Sequence, residues 1–218
     1  MDLPGEHRIP LTWLLEHGGE SVRYRTLTDL APTGYAQPDQ LAAAQQAVVD
    51  SKAALGVVKK QKDTGVWGAN LLGLATSAAQ GIKDTGTVPQ YRRLIQLNYP
   101  VQARPFKLTD RLLFRLLSRD EDPSLLFEHQ KLVKAEPAAT EWVRTGIREA
   151  ATAALAEAGF VEDPRVRGSA HRIANAVSHF LRSPLTEKPF LRAGSQTVLH
   201  PEAAPPTWYS VADRKSVV

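Results

Sequence analysis

Tyr24, Tyr91, Arg92 and Trp142 are the residues of this chain best suited to hold a ligand. Aromatic faces supply apolar area, and Tyr and Trp carry a polar handle as well. A guanidinium adds a fork of donors that fits a carboxylate or a phosphate. With Trp67, these aromatic residues could line a cavity or groove, although packing in a core is their commoner use. Arg23, Arg25, Arg92, Arg93, Arg165, Arg167 and Arg172 could converge on one anion. Ion pairing between adjacent helices is the competing account.

Other chemistry has less to stand on. His7, His17, His129, His171, His179 and His200 contain no pair at the i, i+4 spacing of a helical metal site. His171 and His179 share a helix face but stand two turns apart, too far for one metal. There is no Gly-x-Ser-x-Gly elbow to anchor a hydrolase triad. There is no Walker A loop and no GxGxxG. The catalytic residues stay unknown, and no metal or cofactor is expected.

Composition narrows the class. The 218 residues are 43% hydrophobic and 23% charged, as in an ordinary soluble domain. No apolar run is long enough to span a bilayer. The start, "MDLPGEHRIP", lacks a basic flank followed by an apolar stretch, so it does not read as a secretory signal. The absence of cysteine removes disulfides, thiolate nucleophiles and cysteine zinc sites, and fits a cytoplasmic protein. The net charge of +4 comes from scattered Arg and Lys, often beside Asp or Glu. That pattern argues against a nucleic-acid partner.

The elements that must position these residues are helical. Leu11, Leu14 and Leu15 start a short helix that "HGG" stops. Ser21 can cap a second, with Tyr24, Leu27 and Ala31 on one face. Pro38-Asp39 opens an Ala-rich segment, "LAAAQQAVVDSKAALGVVKKQ", long enough for two helices or for one weakened near Gly56. "ANLLGLATSAAQGIKDTG" reads as part helix, part loop. "TVPQYRRLIQLNYP" reads as a helix with Tyr91, Leu94 and Ile95 inward. Thr109 can cap "DRLLFRLLSR", whose Leu112, Leu113, Leu116 and Leu117 form a stripe.

Asp122-Pro123, Glu136-Pro137 and Asp163-Pro164 each place an acid before a proline, which marks a helix start. The helix from Pro137 should end at Gly159, with Val143, Ile147, Ala150, Ala151, Ala154, Leu155 and Ala158 inward. The helix from Pro164 carries Val166, Ala170, Ile173, Ala174, Val177 and Leu181. Residues 183–207 read as an irregular Pro-rich arm with a short extended piece at "QTVLH", without convincing strand pairs. Residues 1–212 are thus expected to form one all-α domain of antiparallel helix pairs. One reverse translation of residues 213–218 matches a common sequencing-adapter sequence. Those six residues read as a non-native tail, and the natural chain is expected to continue.

Within "KAALGVVKKQKDTGVWG", Gln61, Gly65 and Trp67 form an unusual spacing. A Gln near a helix C-terminus can bond the orphan carbonyls there, or reach the free N–H groups of the next helix. Gly65 permits a tight turn. Trp67 can cover the helix ends, provided its N–H finds a partner. The pattern resembles the QW turn of the α/α-toroid superfamily, the terpenoid cyclases and protein prenyltransferases. Lys52, Ala53, Val57, Gln61, Gly65 and Trp67 fit that motif, and Gly56 stands where it has an aromatic residue. Other stretches within residues 9–211, among them "LTWLLEHGGESVRYRTLTDLAP" and "REAATAALAEAGFVEDPRVRG", resemble a bacterial group of toroid-like proteins without an assigned reaction.

The resemblance implies a partial α/α toroid, because the helices are too few for a closed double ring. It implies an apolar or isoprenoid-like ligand in a central cavity. It does not bring the superfamily's catalytic motifs. The nearest match to the Asp-x-Asp-Asp acid motif is Asp120-Glu121-Asp122-Pro123, where a helix cap is the better account of Asp122. No DDxxD cluster for magnesium–diphosphate is present, and the zinc set of the prenyltransferases needs a Cys. The alternative from another class is a non-catalytic helical scaffold that binds a protein or peptide on a concave surface. An enclosed aromatic cavity would favour the ligand, and an open groove with aromatics and Arg would favour the scaffold.

Overall fold

The computed structural model describes residues 10–73, 86–118, 121–200, 202, 203 and 207. Helices dominate these residues. α1 (Leu11–His17) and α2 (Glu20–Arg25) continue into a π-helical turn over Thr26–Leu30. α3 (Pro38–Asp50) and α4 (Lys52–Val58) follow, then α5 (Thr87–Gln96) and α6 (Arg104–Leu117). A 3-10 segment (Pro123–His129), α7 (Gln130–Ala135), α8 (Thr140–Glu157) and α9 (Pro164–Arg182) complete the helical part. Among the described residues no helix is long and apolar enough to cross a membrane.

Local chemistry explains most boundaries. Asp122 and Asp163 accept from Ser124 N and Arg165 N, so two of the three acid–proline pairs cap as expected. At Glu136-Pro137 the side chain makes no cap bond, and a 3-10 turn (Pro137–Ala139) precedes α8. Gly159 has φ +98°, the left-handed conformation of a helix stop. The Ala-rich segment breaks at Ser51 rather than at Gly56. Ser51 adopts extended dihedrals and its Oγ accepts from Ala54 N at 3.2 Å. Gly56 continues inside α4.

Two caps differ from expectation. α2 starts after Gly19, so Ser21 lies inside it. α6 starts at Arg104 with a proline in its first turn, so Thr109 is internal. Its hydroxyl faces Pro105 O, four residues back, at 3.2 Å. The arm also differs. β1 (Phe190–Ala193) and β2 (Gln196–Leu199) form an antiparallel hairpin, with Phe190 opposite Leu199 and Ala193 opposite Gln196. Its signal was a two-residue Gly-Ser loop between short apolar runs, and Gly194 takes φ +63° there.

The core gathers around α8, which packs on α5, α6 and α9. Every residue of α8 from 150 to 156 is buried, so it is enclosed on all sides rather than along one stripe. The run "AATAALA" makes this possible, because small side chains let neighbouring helices approach. Thr152, the polar member, donates to Arg148 O at 2.7 Å and bonds Ser169 Oγ on α9 at 2.7 Å. On α9, Val166, Ala170, Ile173 and Phe180 are buried, whereas Leu181 turns to solvent. By contrast, α1 and α2 have no buried residue and α3 buries only Val48.

Candidate functional site

Two constructions join distant parts of the chain. The first is the Gln61–Trp67 turn. The backbone closes with Gly65 N bonded to Lys62 O at 2.9 Å and Lys62 N to Val66 O at 2.9 Å. Gly65 has φ +84°, and a Cβ there would lie 2.6 Å from Leu108 O. Both facts require glycine. Gln61 Nε2 reaches across to α6, facing Pro105 O and Thr109 Oγ1 at 2.9 Å each. Thr109 Oγ1 in turn lies 2.7 Å from Gly65 O.

Trp67 is 2% exposed and packs in the core. Its Nε1 donates to Val57 O at 2.8 Å, a carbonyl at the C-terminal end of α4. Its backbone N–H donates to Thr87 Oγ1 at 3.1 Å, at the start of α5. Bonding a carbonyl at the end of α4, one of the two roles open to Gln61, thus falls to the tryptophan. Gln61 instead ties the turn to α6. Downstream, the Glu128 carboxylate accepts from Leu71 N and Leu72 N at 2.7 and 2.8 Å. The adjacent Phe127 sits at φ 46°, ψ −121°, a conformation costly for a residue with a Cβ.

The second construction is an open cleft of about 560 Å³. α2 and the π-helical turn contribute Tyr24, Arg25 and Asp29 to its lining, and α3 contributes Gln45. The end of α5 and the segment after it contribute Gln96, Asn98 and Tyr99, and α8 contributes Glu157. Asn98 takes φ 57°, which turns the chain out of α5. Its charged groups are already matched. Arg25 Nε meets Asp29 Oδ2 at 3.3 Å, and Thr28 Oγ1 donates to Asp29 Oδ1 at 2.7 Å. Arg92 grips both oxygens of Glu157, with Nε to Oε2 at 2.7 Å. Gln45 Nε2 donates to Tyr24 Oη at 3.3 Å.

The four residues expected to line one cavity thus separate. Tyr24 lines the cleft, and Arg92 braces it through Glu157. Tyr91 belongs to the core: it is fully buried, its ring meets Phe106 edge-on at 5.0 Å, and its hydroxyl donates to Asp110 Oδ1 at 2.6 Å. Burial, then the charge of Asp110, push the Tyr91 phenol far above its ordinary value. Burial also raises the Asp110 carboxyl, and the bond from Tyr91 opposes that rise. Trp142 is 69% exposed on the first turns of α8 and lines neither construction. It falls outside the buried stripe that starts at Val143.

The arginines do not meet at one anion. Arg25, Arg92, Arg165 and Arg167 pair with four different carboxylates, and Arg23 donates to Glu16 O. Asp120 lies outside the described residues, and Asp122 caps a helix and pairs with Arg115 at 2.9 Å. Among the described residues no group of His, Asp and Glu could hold a metal ion. Sequence reasoning missed Gln45, Asn98, Tyr99 and Glu157. They come from separate elements and share no local pattern. No protein-family profile, curated protein or solved structure matches this chain.

Proposed function

We propose that the chain is a non-catalytic helical scaffold that holds an extended peptide segment of a partner protein in the Tyr24–Tyr99 cleft. The observation that carries this reading is the cleft's lining. It is open, mixes aromatic rings with carboxamides, and has its carboxylates already engaged by arginines. Arg92–Glu157 ties α5 to α8 beside the cleft, Arg25–Asp29 is a local pair on its rim, and neither leaves a poised acid, base or nucleophile. Peptides suit such a site, since amide groups need donors and acceptors as well as apolar contact.

We also read the helix pairs as part of an α/α toroid. The support is the Gln61–Trp67 tie, which links the end of α4 to the start of α5 and to α6 as a QW-type turn would. An isoprenoid-like ligand would need enclosed apolar space instead. The enclosure of α8 along residues 150–156 fills the middle of the helical packing with alanine side chains. The test is selection of binders from a random peptide library on the wild-type chain. A Thr28→Trp variant that fills the cleft serves as counter-selection. Peptides that bind wild type and lose the variant support the scaffold. Binders indifferent to the filled cleft, or none at all beside saturable uptake of a prenyl alcohol, would sink it.

A further inference from the structure

We infer that the outer edge of β1 is a docking site for an acidic, extended segment of a partner protein, which adds to the hairpin as a third strand. None of the residues concerned lines the Tyr24–Tyr99 cleft, so the inference stands without the scaffold reading. Every residue of β1 and β2 is exposed. Of the twelve large hydrophobic residues exposed among the described ones, five fall in this stretch: Leu181, Phe190, Leu191, Val198 and Leu199. A two-stranded hairpin that buries neither face is marginal in water, and a third strand completes it. The ladder fixes which backbone groups are free. His200 N donates to Pro189 O at 2.7 Å, and bonded and non-bonded pairs alternate in an antiparallel ladder. The Leu191–Val198 and Ala193–Gln196 pairs are then bonded, so Phe190 and Arg192 turn their N–H and C=O groups to the outer edge of β1.

Charge selects the occupant. Residues 164–200 hold six Arg or Lys and one acid, Glu187, a net +5 within a chain of net +4. Arg165 and Arg167 pair with Asp163 and Glu162. Arg172, Arg182, Lys188 and Arg192 are exposed, and none is in an ion pair among the described residues. β2 has no charged residue, whereas Lys188 and Arg192 mark β1. A strand added there sets its side chains alternately on both faces of the hairpin. An acid can then stand beside Arg192 on one face, while an apolar residue covers Leu191 on the other. The same positive charge opposes edge-to-edge pairing of two copies of the chain. A lipid surface fits less well. The turn end of the hairpin carries Arg192, Gln196 and Thr197, and the apolar pairs stand at its base, the reverse of a hairpin that enters lipid tip first.

The test titrates the full chain, labelled for amide NMR, with a peptide of about seven residues that alternates Val and Glu. The comparisons are a Val-Lys peptide of equal length, the Val-Glu peptide with every backbone N–H methylated, and phosphatidylserine vesicles. Saturable binding of the unmethylated Val-Glu peptide alone is expected, with slowed exchange of the Phe190 and Arg192 amides. Binding should weaken several-fold at about 0.5 M salt. Arg192→Glu, at an exposed position, should weaken it about 5-fold or more, and Thr28→Trp should leave it unchanged. Equal binding of the Val-Lys or the methylated peptide overturns the inference. So does protection of Thr197 and Leu199 instead of Phe190 and Arg192, binding of the vesicles and of no peptide, or no binding at all. Peptide selection at the cleft is run with the Val-Glu peptide in excess, so that edge binders and cleft binders are told apart and either reading can fail alone.

Discussion

Around Trp67 each polar group in the tie points at another group of the protein. Trp67 Nε1 has Val57 O, Trp67 N has Thr87, Gln61 has Pro105 and Thr109, and Gly65 leaves no space for a side chain. Around Tyr24 the carboxylates are paired while aromatic rings and carboxamides face an open cleft. The first arrangement spends its chemistry on holding α4, α5 and α6 together. The second is closed on one side by α2 and α3, helices that bury little, and keeps chemistry available for a ligand. Sites that bind tend to sit where local stability is low, and the contrast between α1–α3 and the α8 core follows that rule.

The contrast is broken most severely at Trp67. Trp67→Ala should cost about 3–5 kcal/mol in urea unfolding, through the lost ring and the lost bond from its Nε1 to the Val57 carbonyl. Gly65→Ala comes next, at about 2–3 kcal/mol, because φ +84° and the Leu108 carbonyl both oppose a Cβ. A loss under about 0.5 kcal/mol there would mean the turn is not locked as described. Tyr24→Ala should reverse the pattern. It should abolish peptide binding, yet cost no more than about 1 kcal/mol, since Tyr24 is only half-buried.

Asp110 gives a pH signature for the core alone. Its carboxyl is raised in the folded chain, so the native state binds that proton more tightly than the unfolded state does. Its contribution is therefore most favourable in acid and declines as pH rises above about 4, through the raised folded value. Asp110→Asn, which keeps an acceptor for Tyr91, should remove that decline. Wild-type and variant Tm curves should converge in acid and separate toward neutral pH; parallel curves would refute the assignment. Asp122 and Asp163 are lowered by their cap and arginine bonds, so they act with the opposite sign and lose stability as pH falls. The smallest effect is expected at Trp142→Ser, within about 0.5 kcal/mol and with cleft binding unchanged.

Legibility in the sequence follows the range of the interactions. The Gln61–Gly65–Trp67 spacing was visible because a tight turn and a buried Trp need those residue types. The roles were not, because which helix Gln61 reaches depends on α6, some 44 positions away at Pro105. The break at Ser51 was hidden by the surrounding alanines, and only the extended dihedrals of Ser51 expose it as a cap. Trp142 looked like a ligand-binding aromatic by type, yet it stands one residue off the buried stripe. The cleft was illegible because α2, α3, α5 and α8 each supply only part of it.

The most direct test of the separation between tie and cleft is residue-resolved amide hydrogen exchange, with and without a saturating cleft-binding peptide. The amides of Trp67, Val88 and Leu94 should exchange only through global unfolding in both samples. Those of α2 and α3 should exchange far faster in the free chain and gain protection when peptide is present. Equal protection of α2, α3 and the core in the free chain, or a peptide that protects the core and leaves α2 and α3 unchanged, would contradict the account.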